Sequence, residues 1–265
     1  MMKTFLFVFF LVAIAALPTQ AQKKIKTITL SDSILFTAID RPGDFYIVTK
    51  TGQIQRFEKN GKLTLLYKSE ALPAIFDPRD GSRLFAYYRH DQHYEYLNPS
   101  FAPTASYHID SAFAIQPWLI CTSGEYKLWV LDNADHTLKK VNIRASEVEV
   151  EVVVDTLLIQ NVSAFKTMRE YQSFVFLLDP LKGIFIFNNL GKHIRTLAFS
   201  GIGHFNFLGE ELYYLEGDQL KFFNLFSAEN RVINIPKEGY ITGLLTDERM
   251  ILFKDQTIDI FEFRP

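Results

Sequence analysis

Cysteine is nearly missing from this chain: Cys121 is the only one. No internal disulfide can form, so stability has to come from burial of apolar surface. Neither charge is in excess. The 28 basic and 30 acidic residues are interleaved rather than blocked and leave a net charge of -2, which excludes the electrostatic footprint of a nucleic-acid or anionic-lipid binder. Long apolar runs are also lacking. The longest, Phe5 to Leu17, is about thirteen residues against the roughly twenty that span a bilayer. Capped helical periodicity is absent after that run.

The apolar run has a plain reading of its own. Lys3 supplies a positive start, Thr19-Gln20-Ala21 offers a small-residue cleavage site, and Pro18 ends the run ahead of polar Gln22-Lys23-Lys24. Residues 1–21 therefore read as a cleavable secretory signal, and 22–265 as the mature domain. No cysteine follows the run to take a lipid, so the expectation is a periplasmic or secreted protein with no membrane insertion after cleavage.

What the chain has in quantity is aromatic residues, 15% of the total with 25 Phe, and these favour pleated, half-buried surfaces. They recur with a rhythm. Phe45 to Val48 leads through Lys50-Thr51-Gly52 to Ile54 to Phe57, then through Asn60-Gly61 to Leu63 to Tyr67. Pairs of the same kind are Leu84 to Tyr88 with Tyr94 to Leu97, Trp118 to Cys121 with Tyr126 to Leu131, and Phe174 to Leu178 with Ile184 to Phe187. Leu212 to Leu215 with Leu220 to Phe223, and Met250 to Phe253 with Ile258 to Phe263, complete six.

Taking Ile54, Tyr94, Leu128, Ile184, Leu220 and Ile258 as equivalent, the spacings are about 40, 34, 56, 36 and 38 residues, propeller-blade lengths except for one. The long spacing predicts an insertion between Ile143 and Tyr171, where Glu147 to Val152 alternates acidic and apolar residues as a half-buried outer strand does. Innermost strands are expected at Ile34 to Ile39, Ala74 to Phe76, Ser111 to Ile115, Val162 to Phe165, Ile202 to Phe207 and Ile241 to Leu245. The expected fold is all-β, a six-bladed β-propeller whose last blade is closed by the strand Ile25 to Leu30, because closure removes aggregation-prone edges.

The stretch Pro42-Gly43-Asp44-Phe45 through Phe57-Glu58-Lys59-Asn60-Gly61-Lys62 resembles an NHL-type or related bacterial propeller repeat, and Phe187-Asn188-Asn189-Leu190-Gly191-Lys192 matches it in part. The resemblance implies a six-bladed fold and leaves function open, since such propellers serve as platforms, scaffolds, lactonases and lyases alike. The composition and the Ala21-Gln22 junction are similar to exported proteins of the Bacteroidota.

In a four-stranded blade, the turn between second and third strands and the link to the next blade open on one face. Candidate binding residues there are Arg89, His90, Asp91, Asp179, Glu216, Asp218 and Asp255, with Asp110 and His204 from the links. The turn Ser123-Gly124-Glu125 and the links at Arg144 and Lys237 are placed with them. His90 and His93 are spaced like metal ligands, but a zinc site needs further donors, and they read as turn histidines. Glu216-Gly217-Asp218 is a turn before it is a calcium loop. Cys121 sits in an apolar strand and reads as a small buried hydrophobe. Gly201-Ile202-Gly203 has no helix after it to receive phosphate.

No catalytic constellation, metal set or cofactor motif stands out. The leading expectation is a non-enzymatic scaffold in the cell envelope that binds a protein partner, such as an outer-membrane or secretion assembly. The alternative is a metal-assisted lactonase or hydrolase acting on a sugar-like molecule in the channel, with Asp40, Asp77 and Asp110 as its candidate ligands. With tryptophan only at Trp118 and Trp129, the repeated docking motif of quinone-cofactor dehydrogenases is absent.

Overall fold

A computed structural model describes residues 23–154, 161–199 and 201–264; the expected signal segment 1–21 lies outside them. Its strands form six four-stranded antiparallel sheets set around a channel. The first strand, β1 (Lys24–Thr29), belongs to the last sheet. Blade one is β2 (Ile34–Ile39), β3 (Phe45–Thr49), β4 (Gln53–Phe57) and β5 (Leu63–Lys68). Blade two is β6 (Ile75–Asp77), β7 (Leu84–Tyr88), β8 (His93–Leu97) and β9 (Pro103–His108). Blade three is β10 (Pro117–Thr122), β11 (Lys127–Asp132), β12 (Thr137–Asn142) and β13 (Glu147–Val153).

After a short 3-10 turn, Val162–Ala164, blade four is β14 (Thr167–Tyr171), β15 (Phe174–Asp179), β16 (Gly183–Asn188) and β17 (His193–Leu197). Blade five is β18 (Phe205–Leu208), β19 (Glu211–Glu216), β20 (Gln219–Asn224) and β21 (Asn230–Asn234). Blade six is β22 (Thr242–Leu245), β23 (Arg249–Phe253), β24 (Thr257–Glu262) and, on its outside, β1. The fold is a six-bladed β-propeller, as the periodicity predicts.

The core is divided into six wedges, one between each pair of neighbouring blades. Middle strands read as unbroken apolar runs because both of their faces are buried. In β3, Phe45 and Ile47 pack toward blade six, whereas Tyr46 and Val48 pack toward blade two. This is the period-two alternation of a strand serving two interfaces at once. Each wedge carries large side chains; truncating one of them, such as Ile260, would cost about 2–5 kcal/mol.

Ring closure follows from pairing of β1 with β24, in which Ile28 lies opposite Ile258 and Thr29 opposite Thr257. Asp259 anchors the join. It accepts hydrogen bonds from Thr27 Oγ1 and from Tyr240 Oη at 2.7 Å, and it pairs with Lys24 at 3.2 Å.

Two blades differ from the sequence expectation. In the third, Trp118 to Cys121 is innermost rather than second, and Ser111 to Ile115 is part of the link before it. Leu128 therefore lies on a second strand, and Leu138 is the true equivalent of Ile54. The expected insertion disappears: Glu147 to Val152 is the ordinary outer strand of blade three. Its acidic side is partly neutralised by Lys127, which pairs with Glu149 at 2.6 Å. In blade four, the innermost strand is Thr167–Tyr171, and Val162 to Phe165 forms the 3-10 turn and the residue after it.

Candidate functional site

The innermost strands run down the channel, and two hollows enter it from opposite ends. The wide one, about 990 Å³, opens where the first and second strands of each blade are joined. Its rim carries the exposed residues Arg41, Lys59, Asp80, Glu125, Asp247 and Glu248. The narrow one, about 400 Å³, opens on the opposite face and is walled by Phe36, Ala38, Ala74, Ile75, Phe76 and Met168. Arg89, Lys166 and His204 reach it, and Asp77 and Arg169 line both hollows, so these two mark the waist.

The waist is a network of charges placed by strand ends. Asp77 ends β6, and the turn after it brings Arg79 back onto its carboxylate at 2.6 Å. The same guanidinium donates through Nη1 to the Glu170 carbonyl oxygen in blade four. Burial alone would raise the Asp77 pKa; Arg79 beside it, with Arg169 further off, overcomes that and holds it below the usual carboxylate range. Trp129 Nε1 reaches the Glu170 side chain at 3.2 Å.

Arg169 has a different situation. It donates to Asn206 Oδ1 at 2.6 Å, and its guanidinium lies over the Phe207 ring, centroid distance 5.6 Å. Among the described residues no carboxylate lies within ion-pairing distance of it, because the nearby Asp77 is held by Arg79. Burial first, and the Arg79 cation second, bring Arg169 down to about 10, with Asp77 opposing them. His204 feels the same field. Burial and then the Arg169 cation lower it to about 3, although its ring bonds to the Thr37 backbone. The imidazole is neutral at physiological pH. The Thr37 hydroxyl beside it has no hydrogen-bond partner among the described residues.

Of the residues singled out from sequence, Arg89 and His204 come together at the narrow hollow. Arg89 stacks on Trp118, 3.6 Å from guanidinium carbon to ring centroid, and donates to the Trp118 carbonyl. The others sit on the same face, farther out. Asp110 accepts from Ala112 N–H at 2.9 Å and Asp179 from Leu181 N–H at 2.9 Å. Glu216 pairs with Lys221, and Asp255 accepts from Ser33 Oγ at 2.8 Å. The backbone carbonyl of Asp218 accepts from Ile235 N–H. His90 is 98% exposed, with Asp91 3.9 Å away.

Ser123-Gly124-Glu125 and Arg144 are on the opposite face from the one expected, because blade three is displaced by one strand relative to the sequence reading. Asp40, taken with Asp77 and Asp110 as a possible cation ligand, spends its carboxylate on Gly43 N–H, Asp44 N–H and Tyr46 Oη. Among the described residues no three His, Cys, Asp or Glu side chains converge to hold a metal ion. Sequence reasoning missed Arg79, Arg169, Glu170 and Asn206. Three of these lie on innermost strands whose polar sides face the channel, which blunts the hydrophobic rhythm.

No protein-family model matches the chain, and no curated protein matches it in sequence. Solved structures do. BamB from Moraxella catarrhalis shares 10% identity over 92% of this chain and 98% of its own, with a TM-score of 0.51. Virginiamycin B lyase from Staphylococcus aureus shares 10% over 90% and 98%, TM-score 0.54. The WD40 β-propeller domain of Doa1 shares 12% over 91% and 97%, TM-score 0.59. At such identities the likeness shows the fold alone, and the class is that of the β-propellers. No helix among the described residues is long and apolar enough to cross a membrane.

Proposed function

We propose that this propeller is a non-enzymatic binding platform, an exported scaffold of the cell envelope that engages a protein partner through the wide mouth of its channel. The partner class is an outer-membrane or secretion assembly, in keeping with the NHL-like repeat, the apparent export signal and the Bacteroidota-like composition. One observation carries the reading. Around the wide mouth, Arg41, Lys59, Asp80, Glu125, Asp247 and Glu248 are exposed on turns, whereas the carboxylate of Asp77 below them is bound to Arg79. A rim of mixed charge selects a partner by complementary potential rather than by chemistry.

The test is affinity recovery from native envelope extracts. A stoichiometric partner is expected with the unaltered protein and is lost when Arg41→Glu and Glu125→Lys are combined. Recovery of no stoichiometric partner, or of one indifferent to the rim, overturns the reading. N-terminal sequencing of the exported protein should begin near Gln22.

A further inference from the structure

The narrow hollow faces away from the rim just described, and its chemistry is one-sided. Arg89, Lys166 and Arg169 line it, and the one carboxylate in its wall, Asp77, is held by Arg79. Among the described residues Lys166 is spent no further than the Ser163 carbonyl at 3.4 Å. Arg89 meets the Trp118 carbonyl and ring, and Arg169 meets Asn206 and the Phe207 ring; neither is paired with an acid among the described residues. Buried charges are normally paired, since an unpaired one forfeits its hydration without return. Arg169, half-buried at the waist of the channel, has no carboxylate partner among the described residues. His204 beside it is neutral and offers a ring nitrogen rather than a second negative group.

The remainder of the wall is apolar. Phe36, Ala38, Pro73, Ala74, Ile75, Phe76 and Met168 enclose a volume of about 400 Å³, within the range that holds small organic ligands. A free inorganic ion would use the cations and leave these apolar walls uncovered. A neutral apolar molecule would leave Arg169 uncompensated. From this combination we propose that the narrow hollow is a binding site for a small organic anion, with a carboxylate or phosphate head at Arg169 and Arg89 and an apolar body against Phe36, Phe76 and Met168.

The head group is fixed by planar guanidinium donors, which suit carboxylate and phosphate alike. Thr37 in the wall adds a hydroxyl that has no partner among the described residues. His204 stays uncharged through the physiological range, so recognition does not switch off near neutrality.

Titration calorimetry on the full mature chain tests the site with four probes: 4-phenylbutyrate, phenyl phosphate, the neutral 4-phenylbutyramide and inorganic phosphate. One or both organic anions bind at one per chain. The neutral amide and inorganic phosphate bind weaker by about tenfold or more, the loss of a charged hydrogen-bonded head or of the apolar body. The better of the two anions identifies the head group. Arg169→Met abolishes binding. Arg89→Gln weakens it by about tenfold and serves where the Arg169 variant fails to fold. Absence of binding by both organic anions at millimolar concentration, equal binding of acid and amide, or binding unchanged in Arg89→Gln overturns the proposal. Arg89 lines only the narrow hollow, so partner recovery through the wide mouth stays as it was in Arg89→Gln and the two readings fail separately.

Discussion

Arg79 of blade two donates a hydrogen bond to the carbonyl oxygen of Glu170 in blade four, spanning the channel in front of the blade between them. The same guanidinium neutralises Asp77, so one side chain ties two non-adjacent sheets and compensates a buried carboxylate. Arg79→Met should cost about 3–5 kcal/mol, since it strands Asp77 as an uncompensated charge. Combining it with Asp77→Leu should recover much of that loss, and urea denaturation of both variants measures the difference. The Asp77 pKa is lowered in the folded state, so its contribution is full above the ordinary carboxylate range. It disappears as pH falls through the lower folded value. An Arg79→Met variant as stable as the parent would refute this role.

His204 acts on acid stability in the same direction as Asp77, but from a higher pH. Its folded pKa of about 3 lies below the unfolded value near 6.5, so the unfolded chain takes up a proton that the folded chain refuses. Folding stability should therefore fall as pH drops from about 6.5 toward 3, by up to about 1.4 kcal/mol per pH unit from this group. His204→Gln keeps an N–H for the Thr37 backbone and removes the titration. Its stability between pH 7 and 4 should decline less steeply than that of the parent, by one proton's worth. Identical slopes would exclude His204 as a group held neutral in the folded protein.

Gly61 illustrates how a turn fixes blade spacing. Its φ is +79°, and a Cβ there would stand 2.5 Å from Ile260 Cδ1 and 2.8 Å from Ile28 Cδ1 of the closing blade. Gly217 has φ +57° and nothing within 4 Å. Both substitutions to alanine carry the left-handed penalty, about 1–2 kcal/mol. Gly61→Ala should cost about 1–3 kcal/mol beyond that from overpacking, read as a lower denaturation midpoint than Gly217→Ala. Equal midpoints would mean that the turn does not press on blade six.

The fold was legible because burial on both faces makes the middle strands conspicuous. Phe45 to Val48, Phe174 to Leu178 and Met250 to Phe253 are buried almost end to end, and closure by Ile25 to Leu30 followed from the missing outer strand. The slip in blade three came from counting apolar pairs without a landmark. A landmark exists: Asn142, Asn188 and Asn224 end third strands and Asn98 directly follows one, and their side-chain oxygens accept backbone N–H groups of the following turn. Asx capping of this kind is written in residue type rather than hydrophobicity, and aligning on it would have placed Leu138 beside Ile54. Thr167–Tyr171 was invisible for a different reason: Arg169 and Glu170 interrupt its apolar pattern. The channel site was therefore half legible. Arg89 and His204 lie in loops, where polar residues invite notice, whereas Arg169 and Asn206 lie on strands and are brought together only by the ring.

Ring closure is the claim on which the channel, the rim and the grouping of every turn rest, and one cross-link measures it. Thr29 and Thr257 are paired across β1 and β24, at a separation a disulfide can bridge in antiparallel strands. In a Cys121→Ser background, the double substitution Thr29→Cys and Thr257→Cys should oxidise to completion in the native protein. Its melting temperature should then rise above that of the reduced form. Two thiols that stay free under native oxidising conditions, with β1 cleaved readily by protease, would contradict the closed six-bladed ring.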